Sequence, residues 1–258
     1  MTDPLVLTAD HGAVRVVTLN RPAARNALSR NLIRATYTAL TAADDDESVH
    51  AVVLTGTDPA FCAGVDLKEA ARDGLSYFEE FRSQSCIAAV AKMRTPIVGA
   101  INGATFTGGL EMALGCDFLI ASERAVFADT HARVGILPGG GMTARLPQLV
   151  GAAMARRLSM TGEVVDAVRA ERIGLVTEVV AHGRLLERAV ELAAQIAEVP
   201  RPTMRGLKEI YTTGAAAVID PALAAEEQIA FAQHRQFDTL EVQFRAVTQR
   251  NKEQIRPD

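Results

Sequence analysis

Two segments set glycines beside residues able to do acid–base work: FCAGVDLKE at Phe61–Glu69 and INGATFTGGLE at Ile101–Glu111. Each reads as a strand that stops at small residues and opens a helix. Such a turn leaves main-chain N–H groups without an intrahelical acceptor. Two turns brought together would aim a pair of donors at one oxygen, an arrangement suited to a polarised carbonyl and the enolate formed from it. Glu111 follows the second turn directly, so a carboxylate able to move a proton arrives with the donors. A plainer reading fits the same spacing. Asp66 and Glu69 form an Asp-x-x-Glu capping box, and Gly108 with Glu111 fits an N-cap and an N3 carboxylate. Such caps stabilise a helix end by about 1 kcal/mol and need no ligand.

A third segment, FADTHARVGILPGGGMTARL at Phe127–Leu146, places Asp129 two residues before His131 and then runs into glycines. An imidazole titrates near neutrality and can act as an acid. The glycines precede a helix expected to start near Met142. Its N-terminus favours an anion, although a flexible turn over a pocket is the simpler reading. The run does not match G-x-G-x-x-G after a buried strand, so it signals no dinucleotide fold. Cys62, Cys86 and Cys116 lack metal-ligand or disulfide spacing and read as buried thiols in a reducing compartment. His11, His50, His182 and His234 have no partner at a meaningful spacing. Met112, Met154 and Met160 are expected to fill gaps in the core.

The elements that must hold these residues follow from periodicity. Val14–Leu19, Ala51–Thr55, Ile97–Ala100, Phe118–Ala121 and Val176–Val180 are short apolar runs bounded by turn residues, and read as strands. Helical patterns lie between them: Leu32–Ala43 behind a Ser29 cap, Tyr77–Lys92, Glu111–Gly115 and Ala152–Ser159. The alternation implies stacked β-α units and a largely parallel sheet. After about residue 183 the strand signals cease. Arg184–Val199, Pro202–Thr213, Pro221–Arg235 and Thr239–Arg250 read as helices. The acidic run Asp44–Glu47 is expected to be a solvated loop.

A chain of 258 residues that is 48% hydrophobic can bury an ordinary core in one domain, or in one domain with an extension. A formal net charge of −4 argues against nucleic acid as a partner. No apolar run is long enough to span a bilayer, and MTDPLVLTAD has neither a basic nor an apolar leader region. A cytoplasmic protein is the expectation. No metal or redox cofactor is implied, because no Cys or His cluster stands at ligand spacing.

Four motifs in order, LNRPAARNALS (Leu19–Ser29), AFCAGVDLKE (Ala60–Glu69), AINGATFTGGLEMALGCD (Ala100–Asp117) and FADTHARVGILPGGGMTARL, resemble the crotonase, or enoyl-CoA hydratase/isomerase, superfamily. The likeness runs from about residue 5 to about residue 215, and its motif order is nearest to enoyl-CoA hydratase. It implies an α/β spiral of β-β-α units over residues 1–182, carrying an acyl-CoA site. It also implies a helical region over 183–258 that forms a trimer interface and covers the active site, giving a homotrimer or homohexamer.

By the same resemblance, the N–H groups of Val65 and Gly108 are the oxyanion donors and Glu111 is the base that activates water. A second family glutamate is replaced by His131, leaving His131, Asp129 or a water held by Glu111 to deliver the other proton. Arg25, Ala63, Val65 and Lys68 align with positions that contact coenzyme A, which enters as part of the substrate. The ending EVQFRAVTQRNKEQ departs from the family's basic tail, leaving Arg250 and Lys252 as its available cations. The implied reaction is reversible addition of water to a trans-2-enoyl-CoA in fatty acid metabolism. The alternatives are another reaction on an acyl-CoA (isomerisation, decarboxylation, thioester hydrolysis) or an acyl-CoA-binding protein without turnover.

Overall fold

The computed structural model describes residues 3–74, 76–79, 84–234, 246–247, 249–251 and 253–254. Strands are numbered in chain order. The larger sheet runs β1 (Val6–His11), β2 (Val14–Leu19), β3 (Ala51–Gly56), β5 (Ile97–Ile101), β7 (Phe118–Ser122) and β10 (Glu178–Val180) from edge to edge. β1 and β2 form an antiparallel hairpin and every later pairing in this sheet is parallel. β3 and β5 are buried at every position, as the near-continuous apolar runs AVVLTG and IVGAI require for strands covered on both faces. The smaller sheet is β4 (Ala60–Cys62), β6 (Ala104–Phe106), β8 (Val126–Ala128) and β9 (Val165–Asp166), with only β9 antiparallel.

The two sheets are built by one repeated step. A strand of the large sheet passes to a strand of the small sheet, and a helix follows. This occurs at β3–β4–α2 (Leu67–Asp73), at β5–β6–α4 (Gly108–Ala113) and at β7–β8–α5 (His131–Val134). The repetition lies in backbone path and is invisible as residue similarity. Its consequence is geometric. Because β4, β6 and β8 pair in parallel, the residues leaving their C-terminal ends are brought side by side.

Helices complete the layers. In α1 (Arg30–Asp45) the Ser29 hydroxyl accepts from Leu32 N as expected of an N-cap, and Leu32, Ile33, Leu40 and Ala43 face the main core. α9 (Leu185–Ala197) presses Leu185, Ala189 and Ala193 onto the opposite face of the sheet, against Val14, Val16, Val53 and Val98. Of the expected helix Tyr77–Lys92, residues 76–79 are helical and 80–83 lie outside the described residues, while α3 (Cys86–Lys92) is a separate helix that Ser85 begins by accepting from Ala88 N. The strand expected at Val176–Val180 starts at Glu178, since Leu175 N and Val176 N turn back to Ala170 O and close the preceding helix, α8 (Ala167–Arg172).

The two tail helices expected at 202–213 and 221–235 are one, α10 (Arg201–His234), which runs through Pro221. Thr239–Arg250 lies largely outside the described residues. One end of α10 is pinned beside the large sheet: Arg205 bonds Thr95 Oγ1 at 2.8 Å and Lys208 reaches Asp117 at 2.8 Å. The acidic run at 44–47 is therefore more than a solvated loop, since Asp44 and Asp46 receive Arg94, Arg201, Arg205 and Arg15. Met112 is buried and Met154 partly buried against the core. Met160 is 72% exposed, on the face of α7 (Ala152–Thr161) opposite to buried Leu158.

Candidate active site

The exits of β4 and β6 interlock. Gly64 has φ +93°, and a Cβ built on it would stand 1.9 Å from Thr107 Oγ1, so only glycine fits between the turns. A Cβ on Gly109 would stand 2.2 Å from Cys62 O. Leu28 pairs with this exit as an isolated parallel bridge: Leu28 N donates to Gly64 O and Asp66 N donates to Leu28 O. In a parallel bridge the residue between those two points its own N–H to the other side. For Val65 that side is α4.

Thr107, a β-branched residue at φ 47°, turns the chain into α4 and leaves Gly108 as its first residue. Among the described residues neither the Val65 nor the Gly108 amide donates to another residue. The Cβ position of Gly108 is 3.9 Å from Val65 N, and nothing of the protein comes nearer than 3.5 Å. Protein packing thus does not require this glycine. The space it leaves is bounded by Leu28, Ile87 and the Val65 amide.

The capping readings fare unequally. Asp66 does cap α2, accepting from Lys68 N and Glu69 N, and it also binds Arg21 at 2.5 Å. Glu69 does not close the box; its carboxylate accepts from Arg30 N at 2.8 Å and caps α1. Glu111 does not cap α4. Its Oε1 accepts from Gly140 N at 2.7 Å and Met142 N at 3.4 Å.

The β8 exit brings the third group. His131 Nδ1 lies 2.7 Å from Asp129 Oδ1, and Nε2 faces Glu111 Oε2 at 3.8 Å, beyond direct hydrogen-bond reach. Glu111 is 3% exposed and His131 6%. Burial pushes the Glu111 carboxyl up to about 7, against the pull of the His131 charge. Burial would lower His131, but the Glu111 and Asp129 carboxylates outweigh it and raise the imidazole to about 9. Asp129 stays below the ordinary carboxylate range despite its burial, because His131 bonds and charges against it. The result is a buried Asp129–His131–Glu111 line with one imidazole nitrogen oriented by a carboxylate and the other facing Glu111.

The glycine run is no loose flap. A Cβ on Gly140 would come within 2.7 Å of Glu111 Oε2. The turn leads into α6 (Met142–Val150), and Gly141 N and Thr143 N donate to Glu226 of α10. Sequence reasoning passed over Glu226, which sits in an Ala- and Glu-rich helix with nothing local to mark it. It also passed over Asn26, fully buried at φ 54°, whose amide donates to Thr57 O and Ala60 O and ties the LNRPAARNALS segment to β4.

At the rim, Arg25 and Lys68 are exposed and without an ion-pair partner among the described residues. Arg25 O accepts from Ala63 N, so Arg25, Ala63 and Val65 share one edge. Arg250 bonds Thr161 O and Gly162 O, and Lys252 lies outside the described residues. Three histidines set aside in the sequence do have partners: His50 Nδ1 lies 3.3 Å from Ala197 O, His182 joins Ser122 and Asp58, and His234 stacks on Phe78. Among the described residues no group of three or more His, Cys, Asp or Glu side chains is placed to hold a metal ion. No described helix is long and apolar enough to cross a membrane.

Residues 9–254 match the family model for enoyl-CoA hydratase/isomerase. The chain belongs to that family. A probable enoyl-CoA hydratase of Rhizobium meliloti is 42% identical over 81% of each chain. A crotonyl-CoA hydratase of Syntrophomonas wolfei is 38% identical over 82% of each. The crystal structure of an enoyl-CoA hydratase from Mycobacterium smegmatis superposes with a TM-score of 0.81 at 46% identity, covering 91% of this chain and all of that one. The family's α/β spiral of β-β-α units is the fold described above.

Proposed function

We propose that the chain is an enoyl-CoA hydratase, a hydro-lyase adding water reversibly to a trans-2-enoyl-CoA to give the 3-hydroxyacyl-CoA. What supports this reading is the Asp129–His131–Glu111 line together with the Val65 and Gly108 amides, which have no acceptor among the described residues, Val65 N lying 3.9 Å from the Cβ position of Gly108. The thioester oxygen sits between Val65 N–H and Gly108 N–H. Fixed donors of this kind are each worth roughly 3–4 kcal/mol as negative charge develops on the oxygen. Polarisation makes the β-carbon electrophilic. Glu111, ionised, takes a proton from water as its oxygen attacks that carbon.

His131, held as an imidazolium by Asp129, gives its Nε2 proton to the α-carbon as the enolate collapses. Glu111 then carries one proton too many and His131 one too few. Since the imidazole has the higher proton affinity of the pair, the proton returns from Glu111 to His131 through a water bridging the 3.8 Å gap, and the site is reset. His131 thus stands in for the second carboxylate of the family.

Coenzyme A enters as part of the substrate, with Arg25 and Lys68 facing its phosphates and Ala63 and Val65 lining its path; no further cofactor takes part. The division into an acyl-CoA core over 1–182 and an oligomerising, site-covering region over 183–258 belongs to the same reading. A homotrimer or homohexamer would bury the exposed Ile210, Tyr211 and Val218 of α10. The setting is cytoplasmic fatty acid metabolism. Crotonyl-CoA and longer enoyl-CoAs test the activity through loss of the conjugated thioester absorbance, with product mass separating hydration from isomerisation, decarboxylation and thioester hydrolysis. Equal rates for the parent and Glu111→Gln would remove Glu111 from the mechanism.

A further inference from the structure

The turn that holds Glu111 is itself held from the other side. Between Gly140 and Thr143, four consecutive amides are dealt alternately to two carboxylates. Gly140 N and Met142 N go to Glu111, while Gly141 N and Thr143 N each go to Glu226 at 2.6 Å. The Thr143 hydroxyl adds a third bond to Glu226 at 2.5 Å. Glu226 is 7% exposed and is one of two buried residues on the whole of α10. A carboxylate is costly to bury unless its oxygens are fully bonded, and a helix that needed only to pack would present an apolar residue there.

We propose that Glu226 is a positioning residue for Glu111. It grips Gly141 and Thr143, and so fixes the turn in the orientation that delivers the Gly140 and Met142 amides to Glu111 Oε1. Oε2 is then left facing His131. Gln233, accepting from Leu137 N, and His234, on Leu137 O, secure the chain just upstream. Arg145 closes the turn from within through Gly140 O at 2.8 Å. The inference rests on Glu111 acting as the base proposed above.

Glu226 also acts through its charge. The groups sharing its field are Glu111 on α4, Asp129 and His131 at the β8 exit, Arg145 on α6, and Asp220 and Glu227 on α10. Its negative charge raises the proton affinity of both Glu111 and His131. Neutralising it therefore moves both limbs of the pH–rate profile to lower pH, whereas a packing role alone would leave them in place.

The test is crotonyl-CoA hydration by Glu226→Gln, Glu226→Asp, Glu111→Gln and the Glu111→Gln/Glu226→Gln double variant. Glu226→Gln should lose roughly 10- to 100-fold in kcat, the size of effect expected from slight misplacement of a catalytic group. KM should stay within about 2-fold, since the lost interaction is not one of ground-state binding. Both pH limbs should move to lower pH, and Glu226→Asp should bring them back. In the Glu111→Gln background, adding Glu226→Gln should cost nothing further, as expected of residues that work as a unit. If Glu226→Gln does not fold, Thr143→Val removes one bond to the same carboxylate and is read for the same non-additivity. An unchanged kcat with unmoved limbs, or a fully additive double variant, would overturn the proposal while leaving the hydratase reading intact. A Glu111→Gln enzyme as fast as the parent would overturn both.

Discussion

His131 and His182 make nearly the same first hydrogen bond. His131 Nδ1 stands 2.7 Å from Asp129, and His182 Nε2 stands 2.9 Å from Asp58. Their second nitrogens separate them. His182 Nδ1 is fixed on Ser122 Oγ at 2.9 Å, so both ring nitrogens are occupied. The serine is fully buried and the aspartate is 59% exposed. Among the described residues His131 Nε2 has no hydrogen-bond partner; it faces a second titrating group, Glu111, in a buried site. A carboxylate–histidine–oxygen line is thus a common way to satisfy polar atoms where a loop meets a strand. In the mechanism proposed above it serves as an acid because one nitrogen is left facing Glu111 instead of a fixed partner.

The sharpest way to break this contrast is to remove what His131 faces. Glu111→Gln keeps the shape and should lose about a thousandfold in kcat for crotonyl-CoA, within the range general acid–base groups supply. His131→Asn should lose about a hundredfold, with a change in pH profile as its signature. For the parent, the rate should rise as pH climbs through the raised Glu111 value, since the base must be ionised. It should fall as pH passes the raised His131 value, since the acid must be protonated. His131→Asn should retain the acid limb and lose the alkaline one. An alkaline limb that survives would assign the second proton to another group.

Gly140→Ala puts a methyl group within 2.7 Å of Glu111 Oε2 and should cost about 10-fold in kcat by turning the carboxylate. A crystal structure of the variant with Glu111 in its original place would contradict that cause. The same substitution at the other histidine, His182→Asn, should leave kcat unchanged and lower stability by about 1 kcal/mol, read as a small fall in Tm. A large loss of rate from His182→Asn would erase the distinction between the two histidines.

The parts of this site visible in the sequence are those that depend on local backbone. Gly64 and Gly109 have no room for a side chain, so the turns after β4 and β6 leave a glycine signature, and these two motifs in order with LNRPAARNALS and FADTHARVGILPGGGMTARL point to the family. Glu111 and His131 are legible because each follows its own turn by a fixed step. What the sequence hides is settled by tertiary contact. Asp129 and His131 are neighbours in sequence, but their pairing with Glu111 exists only because β6 and β8 run parallel. Glu226 and Asn26 bond to main chain far away, and nothing in their flanks records it. The division of the tail at Pro221 failed for a related reason. Gly214–Ala217 and the residues after them continue the helix, and a proline on an exposed stretch removes a single backbone bond without ending it.

At about 1.5 Å per residue, the 34 residues of α10 reach roughly 50 Å. The near end is tethered beside the large sheet and the far end grips the loop around Glu111, while Ile210, Tyr211 and Val218 in the middle are exposed. A rod clamped at both extremities transmits whatever flexes its span. If Glu111 is the base proposed above, a kink introduced at Pro221, the proline in the interior of that rod, should reach the site through the Glu226 grip on Gly141 and Thr143.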